Sequence, residues 1–254
     1  MSFPSWKASK RDISEKNRSD VLAIASTVFG AMAKLSPQVF RKLNPEMIRA
    51  KKSKEKIEAE IRRISAEIDR YMNRESGHGE RVATIADRLA RRFALSDAER
   101  KALHIASHLH GIGELVMSRD YAKSEHALKA IEIADFQRHP VIAEQEIGRL
   151  RLDKVTQLTV RWSRENWDGS GYPDALREEE IPLVCRILRV AEAFVSSIEK
   201  SGCSEEKALE ELRRSAGIDF DPSVVAEFAS LEMFAPEISG HREESVQSAS
   251  EVSE

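Results

Sequence analysis

The sequence predicts an all-α fold, and three observations lead to that prediction. The 254 residues combine 41% hydrophobic with 33% charged residues, which is typical of a folded core beneath a strongly solvated surface. Eleven glycines and eight prolines make up only about 7% of the chain, and aromatic residues only 6%, which disfavours turn-rich β-architectures. Apolar residues recur at helical spacing, and no run of four to eight residues alternates as a half-buried strand does.

The charge balance and the cysteine count narrow the classes of function and location. Forty basic and 43 acidic residues give a net charge of −3, which offers no overall field to a nucleic-acid polymer or an anionic membrane. The apolar stretch 21–33 is shorter than the about 20 residues of a membrane span and indicates a core helix, with a lipid-surface helix as the alternative. Cys185 and Cys203 are too few for a disulfide framework, and no secretory signal is visible, so we expect a cytoplasmic protein with reduced thiols.

The first 75 residues are predicted to form a helical extension. Residues 1–16 lack apolar periodicity, whereas residues 18–35 repeat apolar side chains every three or four positions and predict a helix. A longer helical run begins near Pro45, with an apolar stripe made of Ile57, Ile61, Ile64, Ile68 and Tyr71. Two heptads do not distinguish a helix that packs on its own domain from one that pairs two protomers, so both interpretations stay open.

The middle of the chain, 76–235, is predicted to be one bundle of shorter helices. Ser96 and Glu99 have the spacing of a capping box, which predicts a helix start between them. The predicted helices cover 79–93, 97–110, 140–151, 153–163, 183–199, 204–215 and 222–234. The serine-rich, acidic stretch 236–254 has little to bury and is predicted to be a disordered tail.

One segment with unusual composition interrupts the helices. It consists of Trp167, Asp168, Gly169, Ser170, Gly171, Tyr172 and Pro173. The turn-forming residues at its centre predict a loop. Aromatic side chains on an exposed loop are suited to anchoring a partner protein, which makes this segment a candidate contact surface. The alternative is that its aromatic rings simply fill a gap in the helix bundle.

The histidines are the sharpest chemical signal, because the chain has only seven. His78, His110 and His139 each stand at a predicted helix end beside glycine or proline, and His110 is followed by a turn predicted to be flexible. This recurrence indicates a shared site, although a lone histidine of this kind is more often a hydrogen-bonded core residue. His104 and His108 lie one turn apart on a different helix face, where a polar flank or an adventitious metal pair would account for them.

The order of these motifs resembles the HD-GYP family. The matching strings are His78-Gly-Glu-Arg-Val, His-Leu-His110-Gly-Ile-Gly, His139-Pro140, the Trp167–Pro173 loop, and the runs 181–191 and 220–225. The resemblance covers about 78–230 in unbroken order, and the Asp-Gly-Ser-Gly-Tyr-Pro string is its most specific part. It implies an all-helical HD-type fold. It also implies a family activity, the metal-dependent hydrolysis of the bacterial second messenger cyclic di-GMP.

Several positions depart from the pattern that the resemblance implies. The family has a His-Asp pair whose aspartate bridges two or three metal ions; here the histidine is His110 and the aspartate position is Gly111. The family lysine that faces substrate phosphate is Glu114 here, a reversal of charge. No catalytic residue is therefore assigned with the family's usual chemistry.

Other ligand positions are changed as well. Two adjacent metal-binding histidines of the family correspond to Ser163 and Arg164, and a glutamate ligand corresponds to Arg74. The late aspartate ligand is Glu192, which is a conservative change, and the basic and aromatic motif expected over 195–203 is missing. The ligands that remain in the sequence are His78, His110, His139 and Glu192.

These changes of residue type disfavour the binding of two metal ions. Two metal ions about 3.5–4 Å apart need several anionic or imidazole ligands and a bridging carboxylate. Glycine offers no ligand, and arginine places a positive charge beside the ions. We therefore expect no binuclear centre and no resident cofactor, with a single iron, manganese or zinc ion on the remaining ligands as the alternative.

The leading hypothesis is a degenerate HD-GYP domain that acts as a regulatory or interaction module in bacterial cyclic di-GMP signalling, not as an enzyme. Its partner would be a signalling protein, such as a diguanylate cyclase domain, that contacts the loop at Trp167, Asp168, Gly171, Tyr172 and Pro173. The first alternative is a phosphodiesterase with one metal ion. The second is a sensor that binds cyclic di-GMP without cleaving it, with phosphate contacts from Arg164, Arg186 and Arg189.

Overall fold

A computed structural model of the chain describes residues 54–123 and 127–231. The helices of these residues are α1 Lys54–Tyr71, α2 His78–Arg92, α3 Asp97–Leu109, α4 Ile112–Met117, α5 Ala130–Phe136, α6 His139–Arg149, α7 Lys154–Arg161, α8 Leu183–Ser201, α9 Glu205–Arg214 and α10 Pro222–Ser230, with 3-10 turns at Asp120–Lys123 and Glu178–Glu180. The predicted helix over 18–35 and the predicted tail over 236–254 lie outside the described residues.

The predicted all-α class is confirmed. The described residues contain no strand, and their one isolated backbone bridge joins Ala216 to Phe220. Within the same part of the chain, no helix combines the length and the apolar character that crossing a bilayer requires. The predicted capping box is also present, since Ser96 Oγ accepts from the Glu99 amide at 3.3 Å and Glu99 accepts from the Ser96 amide at 2.9 Å.

Helix α8 lies at the centre of the bundle and packs against α2, α3, α7, α9 and α10. Its inward face buries Ile187, Val190 and Phe194. Each such side chain contributes roughly 1.5–3 kcal/mol when fully withdrawn from water. This apolar face therefore fixes α8, and with it the polar side chains that α8 carries into the interior.

The apolar stripe of α1 packs on the same domain. Ile61, Ile64 and Ile68 are at most 1% exposed, and α1 packs against α3 and α4. At Ile61, Ile64 and Ile68 the stripe therefore lies against the other helices of the same chain. Pairing of two protomers through the region 1–75 stays a prediction.

Two helices were not predicted, for different reasons. The flexible turn predicted after His110 is wrong, because the chain resumes as α4 at Ile112. A Cβ at Gly113 would lie 2.0 Å from the His139 carbonyl oxygen, so this glycine permits the close packing of α4 on α6. Helix α5 has no buried residue, and its Ile131 is 58% exposed, so no apolar stripe revealed it.

Candidate functional site

The start of α2, the end of α3 and the middle of α8 meet at one buried polar centre. His78 begins α2, His110 directly follows α3, and Glu192 projects from α8. The rings of His78 and His110 are 5.3 Å apart, and one ligand atom from each of the three residues lies within 4.8 Å of the others. The predicted gathering of histidines at helix ends is therefore present for two of the three, with Glu192 beside them.

The third predicted histidine, His139, contacts a different carboxylate. Its Nε2 lies 3.4 Å from Glu114, and both side chains are 1% exposed. Arg164 joins the two halves of the centre, since its guanidinium is 3.0 Å from Glu192 and 3.9 Å from Glu114. His139 thus adjoins the His78, His110 and Glu192 group without belonging to it.

Hydrogen bonds fix which nitrogen of each histidine faces the centre. The Nδ1 atom of His110 donates to the Ser107 carbonyl oxygen at 2.9 Å, and that of His139 donates to the Phe136 carbonyl oxygen at 2.8 Å. The Nδ1 atom of His78 faces the Glu199 carboxylate at 2.7 Å. A donating Nδ1 leaves the Nε2 lone pair of a neutral imidazole directed into the centre, which is the arrangement of a metal ligand.

Guanidinium groups, however, are hydrogen-bonded to two of the candidate ligands, His110 and Glu192. Arg74 lies in the turn between α1 and α2, and its Nη1 donates to His110 Nε2 at 2.9 Å. Its Nη2 is 3.9 Å from Glu192, while Arg164 donates to the same carboxylate at 3.0 Å. Burial alone would raise the pKa of Glu192, but the guanidiniums of Arg164 and Arg74 hold it well below its usual value, so this carboxylate is ionised and paired.

Glu114 places a carboxylate close to Gly111, the position that has no side chain of its own. A Cβ on Gly111 would lie 3.5 Å from Glu114 Oε2, so the glutamate carboxylate lies close to the place where an aspartate side chain would begin. Sequence reasoning treated Glu114 only as a charge reversal and did not find this role. The same Cβ would lie 2.6 Å from Ile68 Cγ2, so α1 has closed over the space that a side chain at position 111 needs.

The Trp167–Pro173 loop is anchored to the centre instead of standing apart from it. The Tyr172 ring packs edge-on against His139 at 5.8 Å, and Tyr172 and Pro173 are half-buried. Glu165 accepts from the backbone amides of Asp174 and Leu176 at 2.7 and 3.1 Å, which holds the end of the loop. The sequence did not identify Glu165 as a residue of interest. It accepts hydrogen bonds from backbone amides nine and eleven residues later in the chain, and no sequence pattern predicts such contacts.

The other predicted contact residues are distributed between the surface and the centre. Asp168 is exposed and Trp167 is half-buried, with the Arg186 guanidinium 5.6 Å above its ring. Arg186 also donates to Asp221 at 2.6 Å, so its contacts bind the loop to the start of α10. Arg189 is 3.8 Å from Glu192 and belongs to the centre. The predicted partner and phosphate contacts of these residues stay predictions.

The interpretation of His108 as part of a polar helix flank is wrong. His108 is 3% exposed, and its Nδ1 lies 3.3 Å from Ser65 Oγ on α1. His104, one turn earlier, is partly exposed. The spacing placed the pair correctly on one face, but it did not show that α1 and α2 cover the end of that face.

The buried histidines predict a loss of stability in acid. Burial, and then Arg74, holds the pKa of His110 well below its usual value, and burial lowers the pKa of His139. In the unfolded chain both titrate near 6.5, so below that pH the unfolded state binds protons that the folded state does not. We expect the free energy of unfolding to fall by up to about 1.4 kcal/mol per pH unit per histidine below pH 6.5. In urea unfolding from pH 7.5 to 5, the free energy of unfolding should fall less steeply with pH for His110→Gln than for the wild type. Equal slopes would show that His110 does not contribute to the loss of stability in acid.

This fold and site define an all-helical domain whose buried centre of histidines and carboxylates forms where helix ends meet. The sequence model of the HD domain family matches residues 62–224, which is more than half of the chain. The chain belongs to the HD domain family.

Relatives with assigned activities support the HD-GYP resemblance. A 3'3'-cGAMP-specific phosphodiesterase of Vibrio cholerae is 32% identical over 60% of this chain and 31% of its own length. A cyclic di-GMP phosphodiesterase of Thermotoga maritima is 30% identical over 61% of this chain and 44% of its own length. The chain thus spans less than half the length of these relatives.

Solved structures share the fold. A cyclic GMP-AMP specific phosphodiesterase of V. cholerae matches with a TM-score of 0.59 at 18% identity, over 74% of this chain and 51% of that one. An HDG"Y"P protein of Bdellovibrio bacteriovorus matches with a TM-score of 0.54 at 16% identity, over 78% of this chain and 68% of that one. At these identities the likeness concerns the fold alone.

The centre does not fit the binuclear metal site that the family resemblance implies. A bridging carboxylate is missing at Gly111, and the His110 lone pair accepts a hydrogen bond from Arg74. The carboxylate of Glu192 is paired with Arg164. Two ions could bind only by displacing both guanidiniums, whose charges would repel them.

Proposed function

We propose that this chain is a non-hydrolytic HD-GYP-type domain that acts as a regulatory or interaction module in bacterial cyclic dinucleotide signalling. The observation that carries the proposal is the pairing of Arg74 and Arg164 with His110 and Glu192 at 2.9 and 3.0 Å. These guanidiniums balance the buried carboxylate, a role that the metal cations would otherwise have. The domain therefore keeps its fold without the ions on which hydrolysis depends.

Several parts of this proposal concern partners and location. The module would contact a signalling protein, such as a diguanylate cyclase domain, in the bacterial cytoplasm, and the region 1–75 would add a dimerising element. The exposed Asp168 and the half-buried Trp167 are accessible on the loop, while Tyr172 connects the loop to His139. A partner that moved this loop would therefore act directly on the buried centre.

A hydrolysis assay tests the proposal. The full chain, with added Mn²⁺ or Fe²⁺, is incubated with cyclic di-GMP and with 3'3'-cGAMP, and the T. maritima relative serves as the active control. We expect linear product to form no faster than it does without protein. We also expect the wild type and His110→Gln to contain the same amount of bound metal. Turnover by the wild type that His110→Gln abolishes would overturn the proposal.

A single-metal phosphodiesterase is a second candidate, favoured by one observation. The ligand atoms of His78, His110 and Glu192 lie close enough to bind one ion, within 4.8 Å of each other. His78 Nε2 is buried and has no hydrogen-bond partner within residues 54–123 and 127–231. This candidate requires Arg74 to leave His110, and the hydrolysis assay distinguishes it from the first.

A non-hydrolytic cyclic di-GMP sensor is a third candidate. Arg74, Arg164 and Arg189 lie within 4 Å of the Glu114 or Glu192 carboxylate, so three guanidiniums meet two carboxylates in this part of the centre. Arg189 Nε is buried and has no hydrogen-bond partner in the part of the chain that the structure describes, which leaves a donor for a phosphate oxygen. Calorimetry with cyclic di-GMP tests it: binding without turnover supports a sensor.

A further inference from the structure

Two histidine–carboxylate pairs lie on the side of the bundle, where α1, α2 and α3 meet. We call them the lateral cluster, which consists of Glu58, Glu80, His104 and His108. His104 Nε2 is 3.4 Å from Glu58, and His108 Nε2 is 3.4 Å from Glu80. The two imidazole rings are 4.9 Å apart and nearly perpendicular. None of these four side chains takes part in the central site.

Gly79 on α2 leaves space for the His108 side chain. A Cβ at Gly79 would lie 3.0 Å from His108 Nδ1 and 2.5 Å from Ser65 Oγ, so only glycine lets α2 approach this ring. Ser65 faces Nδ1 at 3.3 Å and orients the ring. Its other nitrogen, Nε2, therefore faces Glu80 at the surface.

This nitrogen is the second observation that indicates a ligand. His108 is 3% exposed, yet its Nε2 has no hydrogen-bond partner among the described residues. A buried polar atom left without a partner destabilises the fold, so such atoms usually have a hydrogen-bond partner or a bound ion. Here the unpartnered atom faces a carboxylate, and a second imidazole stands one helical turn away.

We propose that the lateral cluster binds a single Zn²⁺ ion through His104, His108, Glu80 and Glu58. Two histidines at positions i and i+4 of one helix are a recurrent zinc-binding arrangement, and imidazole nitrogen with carboxylate oxygen is a donor set that zinc accepts. The two carboxylates match the charge of the ion. The site would connect α1, α2 and α3, and it is independent of the proposed function.

The donors must draw together to bind the ion. Zinc ligands lie about 2.0–2.2 Å from the metal, so the two histidine–carboxylate pairs have to close around it. Glu80 is 55% exposed and Glu58 is 22% exposed, so these side chains can adjust, while His108 is held by Ser65. Arg62, an exposed residue of α1, also acts on His108 electrostatically, and the two carboxylates outweigh its charge.

Zinc titration of the full chain tests the proposal. Protein stripped with EDTA is titrated with ZnCl₂ by calorimetry, and its thermal unfolding is followed with and without zinc. We expect one ion per chain and, at about 100 times Kd, an increase in Tm of roughly 5–10 °C. His104→Gln should abolish both effects without changing the Tm of the metal-free protein, because His104 is partly exposed.

The matched control is His110→Gln, which removes a histidine of the central site from the same helix end. It should keep the zinc-dependent rise above its own metal-free Tm, and Co²⁺ in place of Zn²⁺ should give the visible absorption of a tetrahedral ion that His104→Gln lacks. Absence of zinc binding would overturn the proposal, as would binding that survives His104→Gln. Zinc lost only in His110→Gln would place the ion in the central site and contradict both this inference and the proposed function.

Discussion

Replacing Arg164 by methionine is expected to lower the free energy of unfolding by about 3–5 kcal/mol. Arg164 donates to Glu192 at 3.0 Å, and Glu192 is only 8% exposed, so the substitution leaves a buried carboxylate without its nearest counter-charge. Arg74 and Arg189 lie 3.9 and 3.8 Å from the same carboxylate, too far to donate a hydrogen bond to it. Urea unfolding monitored by circular dichroism measures the change.

Two further variants identify the cause of that loss. Arg63→Met removes the surface pair with Glu60, in which the arginine is 42% exposed, and should cost under about 1 kcal/mol. Arg164→Met combined with Glu192→Leu removes both charges and should recover a large part of the stability, since buried pairs can often be replaced by apolar residues of similar size. If Arg164→Met unfolds at the same urea concentration as Arg63→Met, the guanidinium does not balance Glu192.

The second large effect is expected at Gly111. Gly111→Asp restores the residue type that the HD-GYP resemblance implies, but its Cβ would lie 2.6 Å from Ile68 Cγ2 and its carboxylate would face Glu114. Overpacking typically costs 1–3 kcal/mol, and burying a second carboxylate adds to it, so we expect a loss of about 3 kcal/mol or more. The hydrolysis assay should stay negative, because Arg74 and Arg164 remain in place.

A double-mutant cycle separates the steric part from the charge. Gly111→Ala introduces the Cβ alone, and Ile68→Ala, expected to cost about 2–5 kcal/mol by itself, removes the side chain that it meets. If the two atoms compete for the same space, the double variant should be more stable than the sum of the single effects by about 1 kcal/mol or more. Strict additivity would show that Ile68 does not close the centre.

Much of the fold follows from local patterns in the amino-acid sequence. The 3.6-residue periodicity of Ile61, Ile64 and Ile68, the capping box at Ser96 and Glu99, and the positions of His78, His110 and His139 at helix ends are local properties, readable within a few turns of chain. The changes at Gly111, Ser163 and Arg164 are likewise visible as residue types. The resemblance to the HD-GYP family assigned those changes to a metal centre.

The partners of the changed residues, by contrast, depend on contacts between distant parts of the chain. That Arg74 donates to His110, that Glu114 lies beside Gly111, and that Glu199 orients His78 across 121 residues of sequence are contacts between distant segments. The burial of His108 beneath Gly79 is of the same kind. A sequence pattern predicts the face of a helix on which a side chain lies. The groups that cover that face depend on how separate helices pack. Hydrogen bonds and charge pairs form only when that packing brings particular atoms together.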